Sequence, residues 1–365
     1  MSRFASYLGI ATALLVGVFV ITVFDNGTTS KITIPVATST VPTISVLPTI
    51  EPKTVKATTS VQVQPAPAPI VLSPIEKIAT SIKTALTTSE SSSLDTSATA
   101  LRAALVNIIC YAPSGSRLRS ISGSGIIVDQ KGIILTNAHI AQNFLLADRN
   151  VSCTIRAGSP AIDKYKVSLI YIPSSWVSAN ADILTKVSPS GTGEYDFAFL
   201  AISKLVTRDA LPSFFPYIPL ATSPSNTGTP VVIASYGAQF LESSQIQSSL
   251  FPTVVFGSVK DVYTFAQNTI DVLSLGGSAA AQEGSSGGGV SNINGELVGT
   301  ITTSTTKGTT DTRKLDAITA SYIRAAYASE TGNALDLLLA KPTATSIADF
   351  APQMPALESI LTANL

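Results

Sequence analysis

Residues 122–140 read SGSGIIVDQKGIILTNAHI. Two short β-branched apolar runs, IIV at 126–128 and IIL at 133–135, flank the polar tetrapeptide DQKG. That pattern predicts a β-hairpin with its turn at Asp129–Gly132. The second strand runs out in T-N-A-H, which puts the chain's single histidine, His139, at the edge of a sheet. The same vocabulary recurs along the chain: VNIICYA (106–112), VSCTIRAG (151–158), KVSLIYI (166–172), DFAFLAI (196–202), PVVIASYGA (230–238), TVVFGSV (253–259) and ELVGTITT (296–303). Many short strands bounded by Gly, Pro, Ser or Asn imply an all-β barrel or sandwich.

Composition narrows the chemistry. The chain has 365 residues, of which 13% are charged, with 23 Lys+Arg against 23 Asp+Glu. Zero net charge and the lack of a basic tract argue against nucleic acid as the main partner, because phosphate binding needs clustered cations. Two Cys and one His cannot supply a zinc finger, an iron–sulfur cluster or a His-rich metal site.

Three segments carry chemistry. His139 ends an apolar strand, as above. EGSSGGGV, residues 283–290, surrounds Ser286 with glycines. Such glycines permit a tight turn whose N–H groups converge on one point, as an oxyanion hole requires. GEYDFAFLAI, residues 193–202, places Asp196 at the head of an alternating apolar strand, where a carboxylate needs a partner to hold it. A lone histidine and a Gly/Ser-rich loop are each commonplace. The three together, in the order His139, Asp196, Ser286, are not.

TNAHI, DFAFL and GSSGG resemble the three catalytic signatures of the trypsin-like serine proteases, and SGSGIIVDQKGIILTNAH is similar to the bacterial HtrA/Deg-type branch. The resemblance spans residues 105–330. It implies two six-stranded antiparallel barrels with flanking helices and the active site between them, and it requires no cofactor and no metal. Ser286 would be the nucleophile, His139 the general base and then acid, and Asp196 the group that orients the imidazole. The N–H groups of Gly284 and Ser286 would form the oxyanion hole, and the Thr302 hydroxyl would support the aspartate. Protein or peptide substrates follow. By the same resemblance Ala280 lies at the base of the primary pocket, Thr303 and Ser304 form its wall, and Glu283 stands at its rim. A pocket without charge predicts cleavage after small or medium apolar residues. Ser285 stands where the digestive enzymes carry the aspartate of their activation ion pair, so no zymogen switch of that kind is expected. No PDZ domain is expected after the catalytic one. A catalytically inactive protease fold serving as a surface binding module is the alternative reading, and an esterase with the same triad a weaker one.

The N-terminal third has a different character. Phe4–Phe24 is a 21-residue stretch without a charge. As a helix it would span about 31 Å, enough for a bilayer core of about 30 Å. With Arg3 before it and Asp25 after it, residues 1–25 are expected to be a transmembrane signal anchor with the remainder outside the cell membrane. Residues 26–74 hold eight of the 21 prolines and read as an extended stalk. Residues 75–104 are expected to be a helical lead-in, in two pieces broken at TTSESSSLDT. Residues 105–335 form the protease domain, with a last helix over 317–330 stopped by Gly332, and 336–365 remain an unassigned tail. Outside the membrane, Cys110 and Cys153 are expected to pair. Two free core thiols are the alternative.

Overall fold

A computed structural model describes residues 91, 93–185, 191–265, 268–304, 307–363 and 365. Its strands begin with β1 (Leu105–Tyr111), β2 (Ile121–Asp129), β3 (Ile133–Thr136), β4 (Ser152–Ala157), β5 (Ile162–Tyr171) and β6 (Ala198–Leu205). These six close into an antiparallel barrel in the order β1-β2-β3-β6-β5-β4. Seven more follow: β7 (Pro230–Ser235), β8 (Thr253–Ser258), β9 (Asp261–Tyr263), β10 (Val272–Ser274), β11 (Gly289–Ser291), β12 (Leu297–Ser304) and β13 (Leu315–Thr319). They form one sheet, β8-β7-β11-β12-β13-β10-β9. The expected second six-stranded barrel is therefore corrected to a seven-stranded sheet. Its ends, β8 and β9, do not pair with each other.

The DQKG hairpin forms as its residues require. Gly132 takes φ +85°, a conformation that side chains resist. Its N–H donates to Asp129 O at 2.9 Å, and the Asp129 carboxylate accepts from the Lys131 N–H at 2.8 Å. Isoleucine and leucine from β1, β2 and β3 are fully buried on both faces of the barrel wall, with Ile108 and Ile134 on one face and Ile126, Ile133 and Leu135 on the other.

Two expectations about helices change. Residues 93–104 are helical, so SLDT (93–96) belongs to a helix rather than to a break, and Leu101 and Ala104 are fully buried. The helix expected over 317–330 spans Ala320–Thr331, because Leu315–Thr319 is the strand β13. Thr319 caps that helix by accepting from the Tyr322 N–H at 3.0 Å, and Gly332 ends it at φ +70°. Tyr327 on this helix packs edge-on against Tyr171 of β5, with ring centroids 4.6 Å apart. The helical tail is ordered too. Helix Thr343–Phe350 contacts β5 and β6, and helix Met354–Thr362 contacts the short helix Ser174–Ala179 that carries the sole tryptophan, Trp176.

Cys110 of β1 and Cys153 of β4 face each other in register and are joined by a disulfide. Among the described residues no helix is long and apolar enough to cross a membrane. The stretch Phe4–Phe24, the stalk and the first half of the helical lead-in lie outside the described residues.

Candidate active site

His139 lies on a single helical turn, Ala138–Ala141, that starts one residue after β3 ends. Asp196 immediately precedes Phe197 and β6, and β3 and β6 are neighbours with Thr136 opposite Ala198. Strand pairing thus delivers the two side chains to the same rim. His139 Nδ1 sits 2.7 Å from Asp196 Oδ2, and the His139 backbone N–H donates to Asp196 Oδ1 at 2.9 Å. The Thr302 hydroxyl, from β12 of the second sheet, donates to Oδ2 at 2.8 Å. Asp196 is held from below as well, since Asn137 Nδ2 donates to its carbonyl oxygen at 2.9 Å.

The turn before Asp196 is strained. Tyr195 adopts φ +55°, unusual for a bulky side chain. Its N–H donates to the Tyr322 hydroxyl at 3.0 Å, so the helix Ala320–Thr331 fixes the turn.

Charge follows geometry. Burial alone would push the Asp196 carboxyl up, but the charge of His139 and hydrogen bonds from His139 and Thr302 hold it below the ordinary carboxylate range. Burial alone would push His139 down, and the charge and hydrogen bond of Asp196 outweigh it, so its pKa is raised. Facing an ionised carboxylate, Nδ1 carries the proton, which leaves Nε2 as the basic nitrogen.

Ser286 stands on the loop between β10 and β11. Its carbonyl oxygen accepts from the Ser124 N–H of β2 at 2.8 Å. Gly287 follows at φ +84°, where a Cβ would collide with Ser124 O and Thr136 Oγ1. This crowding seats the loop against the two strands that lead to His139. The N–H groups of Gly284 and Ser286 meet no acceptor among the described residues. Gly284 itself has φ +89°. The Ser286 hydroxyl makes no hydrogen bond to His139 in this structure. Such contacts are commonly long without substrate and tighten when it binds. Ser285 is buried, within 3.1 Å of the Ser235 hydroxyl, and thus faces away from solvent.

Ala280 is fully buried, Glu283 is exposed, and Thr302 is engaged with Asp196. Thr303 and Ser304 lie on β12 opposite Asp316 and Leu315.

Two residues were not singled out by sequence reasoning. Ser124 is fully buried; its hydroxyl donates to Gly284 O at 2.8 Å and accepts from the Tyr236 N–H at 2.9 Å. A polar residue amid SGSGIIV was the available signal. Arg313 is buried as well, and its polar neighbourhood DTRKLD gave none.

A closed antiparallel barrel beside a curled second sheet, with this rim between them, is the chymotrypsin-like architecture of serine peptidases. Residues 123–299 match the family described as the trypsin-like peptidase domain, so that stretch carries a trypsin-like serine peptidase domain and the activity is that of a serine endopeptidase. Similar solved structures include the Rv3671c protease from M. tuberculosis in its active form. That one has 19% identity and a TM-score of 0.40, covering 64% of this chain and 84% of the other. The serine endoprotease from Yersinia pestis has 21% identity and a TM-score of 0.40, with 63% of each chain covered. Deg5 has 15% identity and a TM-score of 0.41, covering 64% of this chain and 91% of its own. Among curated proteins none matches this chain.

Proposed function

We propose that this protein is a membrane-tethered, extracytoplasmic serine endopeptidase that works through His139, Asp196 and Ser286 and an acyl-enzyme. The observation that carries the reading is the bonded set Thr302–Asp196–His139 beside a loop that leaves the Gly284 and Ser286 N–H groups open. In the proposed cycle Nε2 of His139 takes the Ser286 hydroxyl proton as the oxygen attacks the scissile carbonyl. The oxyanion then accepts from the two open N–H groups, which need no reorganisation at that moment. His139 returns its proton to the departing amine, and water repeats the sequence to release the acid. Asp196 keeps the imidazole in the required tautomer throughout and stabilises its charged form.

Support for the location comes from the uncharged run Phe4–Phe24, from the proline-rich stretch behind it, and from the Cys110–Cys153 bridge, since disulfides persist in oxidising compartments. An apolar primary pocket around Ala280 remains the proposal for specificity.

A fluorophosphonate probe tests the chemistry. The wild-type protein should be labelled at Ser286 and the Ser286→Ala variant not at all. A wild-type protein that resists the probe and cleaves no peptide in a broad library would leave the binding-module reading instead. Fractionation tests the tether: the full chain should require detergent for extraction, and a chain beginning at residue 75 should not.

A further inference from the structure

Arg313 precedes β13 and is 5% exposed. Among the described residues no carboxylate lies within ion-pair distance of it. Its guanidinium instead gathers neutral oxygens from three separate loops. Nη1 donates to Gln239 Oε1 at 2.6 Å and to the Ala281 carbonyl at 2.8 Å, and Nε donates to the Gly308 carbonyl at 3.0 Å. The Phe240 ring covers it, with its centroid 5.6 Å from Cζ. A buried cation without a counter-ion is costly, so its retention calls for a role that neutral packing would not fill.

The three loops meet at the oxyanion site. Ala281 stands three residues before Gly284. The Ala238 N–H, next to Gln239, donates to the Glu283 carbonyl at 2.8 Å, the residue directly before Gly284. Gly284 packs so closely on Tyr236 O and Ala238 N that a Cβ would touch both. Gly277, at the start of the same loop, is equally tight against the Asp311 backbone beside Gly308. The fork of Arg313 thus ties the 236–240, 277–284 and 308–311 segments into one body. A single ammonium could not reach three acceptors in these directions.

We propose that Arg313 is a positioning residue for the oxyanion-binding loop. It fixes Ala281 and Gln239, and through them the direction of the Gly284 and Ser286 N–H groups. The inference rests on the serine-peptidase mechanism above. It also explains how the loop is held when Ser285 offers no ion pair for that purpose.

The test compares wild type with Arg313→Met, Arg313→Lys and Gln239→Ala. Each is assayed for kcat and KM on one peptide substrate and for inhibition by a peptide boronate, whose tetrahedral adduct draws on the same N–H groups. Melting temperature and the ring titration of His139 are recorded in parallel. Arg313→Met is expected to lose about a hundredfold in kcat per folded molecule, the scale of a misplaced oxyanion donor. Boronate affinity should fall in step while KM and the His139 titration stay put. Arg313→Lys should recover little, and Gln239→Ala, which spares the cation, should lose about tenfold. A purely structural role predicts lower melting temperatures with unchanged kcat per folded molecule. That result in Gln239→Ala and Arg313→Lys overturns the inference even if Arg313→Met does not fold. Loss of turnover in the wild type itself would instead overturn the mechanism on which the inference rests.

Discussion

The backbone N–H of Ser124 donates to the carbonyl oxygen of Ser286 at 2.8 Å. The first barrel therefore holds the residue proposed as nucleophile, and the Ser124 side chain reinforces the link through Gly284 O and the Tyr236 N–H. Ser124→Ala removes the side-chain half of this connection and leaves a half-buried carbonyl and a buried N–H without this partner. Stability should fall by about 1–3 kcal/mol, measurable by denaturant melts, and kcat should fall with it. Unchanged kcat in the folded variant would mean that the backbone contact alone seats the loop.

Ser286→Ala should lower turnover by about a millionfold with an unaltered melting curve, because the covalent step is lost and little packing changes. Ser285→Ala serves as the control. It should stay active, since that hydroxyl is turned toward Ser235 and not toward the cleft.

The acid limb of activity should titrate above 6.5, the ordinary histidine value, because Asp196 raises the His139 pKa. With one histidine in the chain, its ring resonances give the same midpoint directly. In Asp196→Asn only burial remains, and the midpoint should drop below the ordinary value. The stability terms run in opposite directions. The contribution of His139 is complete below about 6.5 and disappears as pH rises through its raised folded pKa. That of Asp196 is complete above about 3.9 and disappears as pH falls through its lowered one. A midpoint for His139 below 6.5 in the wild type would contradict the charged pairing.

Peptide mapping without reductant should recover Cys110 linked to Cys153. Replacing both with serine should cost about 4 kcal/mol, the chain-entropy figure for a loop of about 43 residues. Two alkylatable thiols in native protein from an oxidising compartment would refute the pairing.

What could be read beforehand divides along physical lines. Strands that are long, β-branched and bounded by turn residues, such as Ile121–Asp129 and Ala198–Leu205, were legible. The strands β9 and β10 have three residues each, too few for alternation to register. Leu315–Thr319 runs straight into Ala320–Thr331, and its apolar residues merged with the helical pattern. His139 and Asp196 carried their own signal, since both end or begin apolar strands. Ser124 and Arg313 act through what surrounds them in space, and one chain's order of residues does not disclose burial. The tail did hold a legible cue: LDLLLA and MPALESILT repeat leucine at helical spacing, with Pro342 and Pro355 at helix starts.

The placement of Trp176 has a practical side. Nearly excluded from solvent, it lies on a helix covered by Met354–Thr362. Intrinsic emission from this protein therefore comes from one indole whose surroundings depend on a segment about 180 residues further along the chain. A red shift of that emission under mild denaturant, ahead of any loss in turnover, would report the undocking of the last helix while the cleft is still intact. The protein thus carries a built-in optical gauge for one face of its first barrel.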